Sequence, residues 1–211
     1  MRSGRALGAR GRSALCGLHM VACALIIVGY FGPWVAHKTA ALTVTGYELS
    51  EFAKFFPQVQ GGVVPVRRAL FVVPLLTACV SLALTAQRST ARPLPRRGAI
   101  AFAVLLSLFE FPPYQSFLAA AYRLQLVLVG VAILLSLLAP LARQISERVR
   151  GVLFLLLALT GACSALWQIG ALRPLVVDLY GAPVWPGWGV VTCLIGLLLL
   201  MLVGLRDLLA S

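Results

Sequence analysis

Apolar residues run along this chain in long blocks that short clusters of arginine interrupt. The blocks occupy residues 14–36, 68–86, 98–111, 124–141, 151–170 and 187–205. A helix needs about 20 residues, at 1.5 Å each, to cross the hydrocarbon of a bilayer. Five blocks meet that length with small end corrections. Block 98–111 is the exception, since its 14 residues reach only ~21 Å at helical rise. The pattern predicts an all-α integral membrane protein: a six-transmembrane-helix bundle forming a single polytopic domain over residues 1–211.

Residues 37–66 make the longest polar break and form the first outer loop. Within it, Thr45 and Glu48 have the spacing of a capping box, in which each side chain satisfies a backbone donor at a helix start. Leu49, Phe52, Ala53 and Phe56 then recur at helical spacing, with Glu48, Glu51 and Lys54 on other faces. Pro57 and the Gly61-Gly62 pair end the segment. This predicts a short amphipathic helix over 46–56, lying on the outer membrane surface or over the bundle mouth. The weak alternation just before it reads as a short extended strand.

Composition supports lipid as the solvent. The chain is 61% hydrophobic and 11% charged, with a mean hydropathy of +0.96, whereas soluble domains carry about a quarter charged residues. A net charge of +12 would point a soluble protein toward nucleic acid. Here the arginines fall in the breaks between blocks, where basic residues set topology and meet anionic headgroups. The expected partners are therefore membrane lipids and a membrane-protein partner, with no nucleic acid. The first block is too long for the ~7–15-residue core of a secretory signal, so it reads as a retained span.

Charge placement orients the bundle. With both termini cytoplasmic, the inner segments hold Arg2, Arg5, Arg10, Arg12, Arg88, Arg92, Arg96, Arg97, Arg143, Arg148, Arg150 and Arg206. The outer segments hold half as many: Lys38, Lys54, Arg67, Arg68, Arg123 and Arg173. That asymmetry obeys the positive-inside rule for a protein of the cytoplasmic membrane. If 98–141 crossed only once, the cluster from Arg143 to Arg150 would move outside and the bias would vanish. Every Trp and Tyr also falls on the outer side, and Trp34, Tyr114, Tyr122, Trp185 and Trp188 form a one-sided aromatic surface. That surface serves either as an interfacial anchor or as a contact face.

The residues for catalysis are missing from the sequence. His19 and His37 lie 18 positions apart on opposite sides of the bilayer, so they cannot share a metal or a haem. His19 reads as hydrogen-bonded to a neighbouring helix. The five cysteines form no C-x-x-C pair and read as small packing residues. None of the H-E-x-x-H, G-x-S-x-G or G-x-x-x-x-G-K-[ST] patterns occurs. No cofactor and no enzyme activity are expected.

One acid stands out. Glu110 is followed by Phe111 and then by Pro112 and Pro113, and the two prolines remove backbone donors and end the third block. A charged residue at membrane depth faces a partner or a cavity. Two readings follow: an ion pair with Arg123 that pins the hairpin, or an outward pocket lined by Glu110, Arg123, Arg67, Arg68 and Arg173, with Asp178 a second acid. Small residues mark helix contacts: Gly189, Cys193 and Gly196 on the last block, Gly161 and Ala165 on the fifth. Such faces serve internal packing or docking to another subunit. Taken together, these features predict a non-enzymatic subunit or accessory of a larger membrane complex, with an outer interaction surface. The alternative is a small-solute or lipid-binding transport component with a pocket around Glu110.

Overall fold

The computed structural model describes residues 3–36, 43–88, 93–112, 119–181, 183 and 185–209. The chain is mostly helical, with five helical segments long and apolar enough to cross a membrane: Ala14–Phe31, Arg68–Ala86, Ala120–Gln144, Glu147–Leu179 and Trp188–Leu209. In chain order the elements are α1 (Ser3–Phe31), β1 (Pro33–Ala36), β2 (Thr43–Thr45), α2 (Gly46–Phe52), α3 (Pro57–Gln60), α4 (Val73–Ala86), α5 (Pro93–Phe109), α6 (Arg123–Leu138), α7 (Glu147–Tyr180), β3 (Trp185–Pro186) and α8 (Trp188–Leu209). Block 98–111 does form a helix. It starts earlier, with Pro93 tolerated in the first turn where no backbone donor is needed, and its 17 residues reach ~26 Å.

Helix α4 is the axis of the bundle. From Pro74 to Ala86 every residue except the half-buried Leu82 is buried, and the helix packs against α1, α5, α6 and α7. A helix apolar all round belongs inside. Its neighbours expose one side, as α6 illustrates: Gln125, Val129, Ala132 and Ser136 are buried at three- and four-residue intervals. Val127, Val131, Leu134 and Leu135 between them face outward, as lipid permits.

Helix α8 lies between α1 and α7, and its small-residue stripe determines how closely. A Cβ on Gly196 would stand 2.8 Å from the Ala22 carbonyl oxygen, and one on Gly29 would collide with the backbone of Cys193. Gly189 meets Gly32 and Pro33 in the same way. Gly161 of α7 sits against Leu197 of α8 and Thr77 of α4, and Ala165 is buried. Of the two uses expected for these small faces, the structure shows internal packing.

Three differences from the sequence pattern have local causes. The first helix stops at Phe31 rather than continuing to 36, because Pro33 lacks the donor a helix requires. Residues Pro33–Ala36 instead pair antiparallel with Thr43–Thr45 on one side and Trp185–Pro186 on the other. The fifth block extends at both ends, from a Ser146 cap to Gly181 in the left-handed conformation. At 34 residues it runs ~51 Å and absorbs Pro174. The loop helix is shorter than 46–56: α2 ends at Phe52 and a 3₁₀ turn covers Ala53–Phe55. Its capping box is fully formed, with the Thr45 hydroxyl accepting from the Glu48 amide at 3.2 Å and Glu48 accepting from the Thr45 amide at 2.9 Å.

Candidate functional site

The sheet marks one end of the bundle, and the predicted polar site does not assemble there as one cluster. Glu110 is 1% exposed, at the end of α5. Its carbonyl oxygen accepts from Gln125 Nε2 at 2.8 Å. Neither carboxylate oxygen makes a hydrogen bond of normal geometry, and nor does the Tyr30 hydroxyl beside it. Arg123 is exposed and forms no ion pair among the described residues, so the expected Glu110–Arg123 pair is absent. The reason is angular: two residues on a helix are ~200° apart, so Arg123 points out of the bundle when Gln125 points in.

The other predicted cations are dispersed. Arg68 pairs with Glu51, and its guanidinium lies 4.0 Å from the centroid of the buried Tyr122 ring. Glu51 also accepts from Lys54 at 2.8 Å. Arg67, Arg68 and Lys54 line a pocket of about 370 Å³ at the sheet end. Arg173 and Asp178 line a separate open depression near the end of α7. Tyr114 lies outside the described residues.

The aromatic set divides as well. Trp185 and Trp188 are exposed. Trp34 is 1% exposed and donates from its indole nitrogen to the Gly29 carbonyl at 2.9 Å. The sheet folds Trp34 inward against Tyr30 and Phe71, so it belongs to the core rather than to an outer surface.

An apolar groove of about 770 Å³ lies between α6 and α7, with α4 as its floor. Leu76, Val80, Leu128, Val131, Leu135 and Leu157 supply apolar walls. Its hydroxyls are turned to the backbone: Thr77 donates to Leu157 at 3.2 Å, Thr160 to Leu156 at 2.9 Å and Ser164 to Gly161 at 2.9 Å. With those protons committed, the walls present few donors, and the groove suits a hydrocarbon chain better than a sugar or an amino acid. Pro65, Arg67 and Trp167 close it at the sheet end. Gln168 fixes that rim by donating to the Arg67 carbonyl at 2.8 Å.

At the opposite end lies a polar network that sequence reasoning missed. Arg88 donates to both carboxylate oxygens of Asp207, one at 3.0 Å, and to Glu147 at 2.9 Å. Arg150 donates to Glu147 at 3.0 Å and to the Ala142 carbonyl at 2.8 Å, and Arg143 donates to Gln87 at 3.2 Å. Burial alone would lower the Arg88 pKa, but the hydrogen bonds and charge of Asp207, with Glu147, raise it above the ordinary value. His19 Nε2 stands 3.8 Å from Asp207, while Nδ1 lies 2.9 Å from the Leu15 carbonyl of its own helix. The expected bond from His19 to another helix is thus replaced by an intrahelical one. The available signal was the presence of an acid, Asp207, among the inner arginines.

Among the described residues, no group of three or more histidine, cysteine or acidic side chains is placed to hold a metal ion. No known protein family, curated protein or solved structure matches this chain.

Proposed function

We propose that this chain is a non-catalytic membrane protein that binds the apolar chain of a membrane amphiphile in the groove between α6 and α7. One observation carries the reading: the groove's size and lining. Its ~770 Å³ falls in the ~300–1,000 Å³ range of ligand pockets, and its hydroxyl protons are already donated to backbone carbonyls. In this reading all six bundle helices cross the bilayer, α5 with the least margin, and both termini are cytoplasmic. The α2 segment then rests on the outer membrane surface.

A photoactivatable phospholipid with a diazirine near the end of its acyl chain tests the groove in reconstituted vesicles. Adducts on the buried floor residue Thr77 are expected, because bulk lipid outside the bundle does not reach it. Placing a bulky rim residue with Cys163→Trp should remove those adducts. Labelling confined to outward residues such as Leu134 and Leu156 would refute the reading.

A second reading, a subunit of a larger membrane assembly, draws on Trp185 and Trp188, which are 75% and 57% exposed at the sheet end. Gentle detergent extraction at native expression separates the two. A lone monomer would remove the subunit reading, and a stoichiometric partner chain would favour it.

A further inference from the structure

Arg67 lines two cavities at once. It closes the sheet end of the apolar groove, and it also lines the neighbouring pocket of about 370 Å³ together with Lys54 and Arg68. An amphiphile with its tail between α6 and α7 would therefore have its polar end beside Arg67, within reach of that second pocket. The charges there are unequal. Glu51 is the acid that pairs with both Lys54 and Arg68, one carboxylate against two cations. Arg67 makes no ion pair among the described residues, and its side chain is exposed.

We infer that the occupant of the groove is an anionic membrane lipid, with its acyl chain between α6 and α7 and its phosphate on Arg67 in the basic pocket. This rests on the groove reading above and adds the headgroup class. The chemistry is direct. A guanidinium offers several donors in a planar fork that matches phosphate oxygens, and one without a carboxylate partner gains most from an incoming anion. Trp167 fits the same position. Its ring lines the groove and its indole nitrogen lies 3.5 Å from the Pro65 carbonyl, the wet end of an otherwise apolar wall, where an amphipathic ring settles at headgroup depth. A zwitterionic headgroup would bring its own cation into a pocket that already holds an excess of positive charge.

The test compares two diazirine lipids of identical acyl chain, one with a phosphatidylglycerol and one with a phosphatidylcholine headgroup, in vesicles of otherwise neutral lipid. Adducts on Thr77 are expected to favour the glycerol headgroup. A single basic side chain near the surface gives about a five-fold preference, which Arg67→Gln should abolish. Arg123→Gln, an exposed cation outside both cavities, should leave the preference intact. Raising the salt should weaken it, since exposed charges are screened. Equal Thr77 labelling by both lipids, or a preference that survives Arg67→Gln, would overturn the headgroup assignment while leaving the groove occupied. Absence of Thr77 labelling by either lipid would overturn the groove itself.

Discussion

Arg88 holds both carboxylate oxygens of Asp207, 119 residues further along the chain, at the end of the bundle opposite the sheet. Asp207 is 4% exposed, and the same guanidinium reaches Glu147. The segment after α4 is thereby tied to α7 and α8, with His19 of α1 against the same carboxylate.

Removing one partner of a buried pair leaves the other charge uncompensated, at a cost of about 3–5 kcal/mol. Asp207→Asn should therefore lower the detergent-solubilised unfolding temperature markedly. Replacing Asp207 and Arg88 together with leucine and methionine should recover much of the loss. An unchanged melting temperature in Asp207→Asn would show that the pair does not hold the helices.

Close approach of α1 and α8 rests on glycine. Gly196→Leu would push its side chain into the Ala22 carbonyl and the backbone of Ile26. Overpacking of this kind costs about 1–3 kcal/mol, more where backbone is the obstacle. Gly130 and Gly170 have open space around a would-be Cβ, so Gly130→Ala is the control and should be near neutral. Comparable destabilisation by the two substitutions, read by thermal unfolding, would refute the close-packed seam.

Glu110 has no cation against it, so Glu110→Gln breaks no ion pair and relieves the cost of burying a charge whose side-chain neighbour is the Tyr30 hydroxyl. Stability should stay level or rise, and Arg123→Gln should have no effect within ±0.5 kcal/mol. A double-mutant cycle between the two should give no coupling. A coupling above about 0.5 kcal/mol would restore the hairpin ion pair expected from the sequence.

Topology is tested with single cysteines in a background lacking the native five. Thr90→Cys should react only with permeant reagents in intact cells, and Gln58→Cys with impermeant ones. Labelling of residue 90 from outside would break the six-span reading.

Much of the architecture was legible without coordinates because its causes are local. Apolar blocks longer than about 17 residues have few ways to satisfy their backbone in lipid except as helices. The Thr45–Glu48 box needs only three residues' spacing to form. Pro112 and Pro113 follow the end of α5 because proline cannot supply a helix donor. The stripe of Gly189, Cys193 and Gly196 likewise announced a close contact. Only the fold showed that α1 fills it, because a sequence names one face of a contact and not its partner.

Other features depend on how the helices are arranged in space. Arg123 and Gln125 are equally near Glu110 along the chain, and only the rotation of α6 about its own axis decides which faces inward. Trp34 looked like part of an outer surface until pairing of β1 with β2 and β3 turned it into the core. Asp207 and Arg88 carried no spacing that could link them. The groove is the extreme case. It exists because α6 and α7 both pack on α4 yet stand apart from each other, and separation between two elements is written in neither of their sequences.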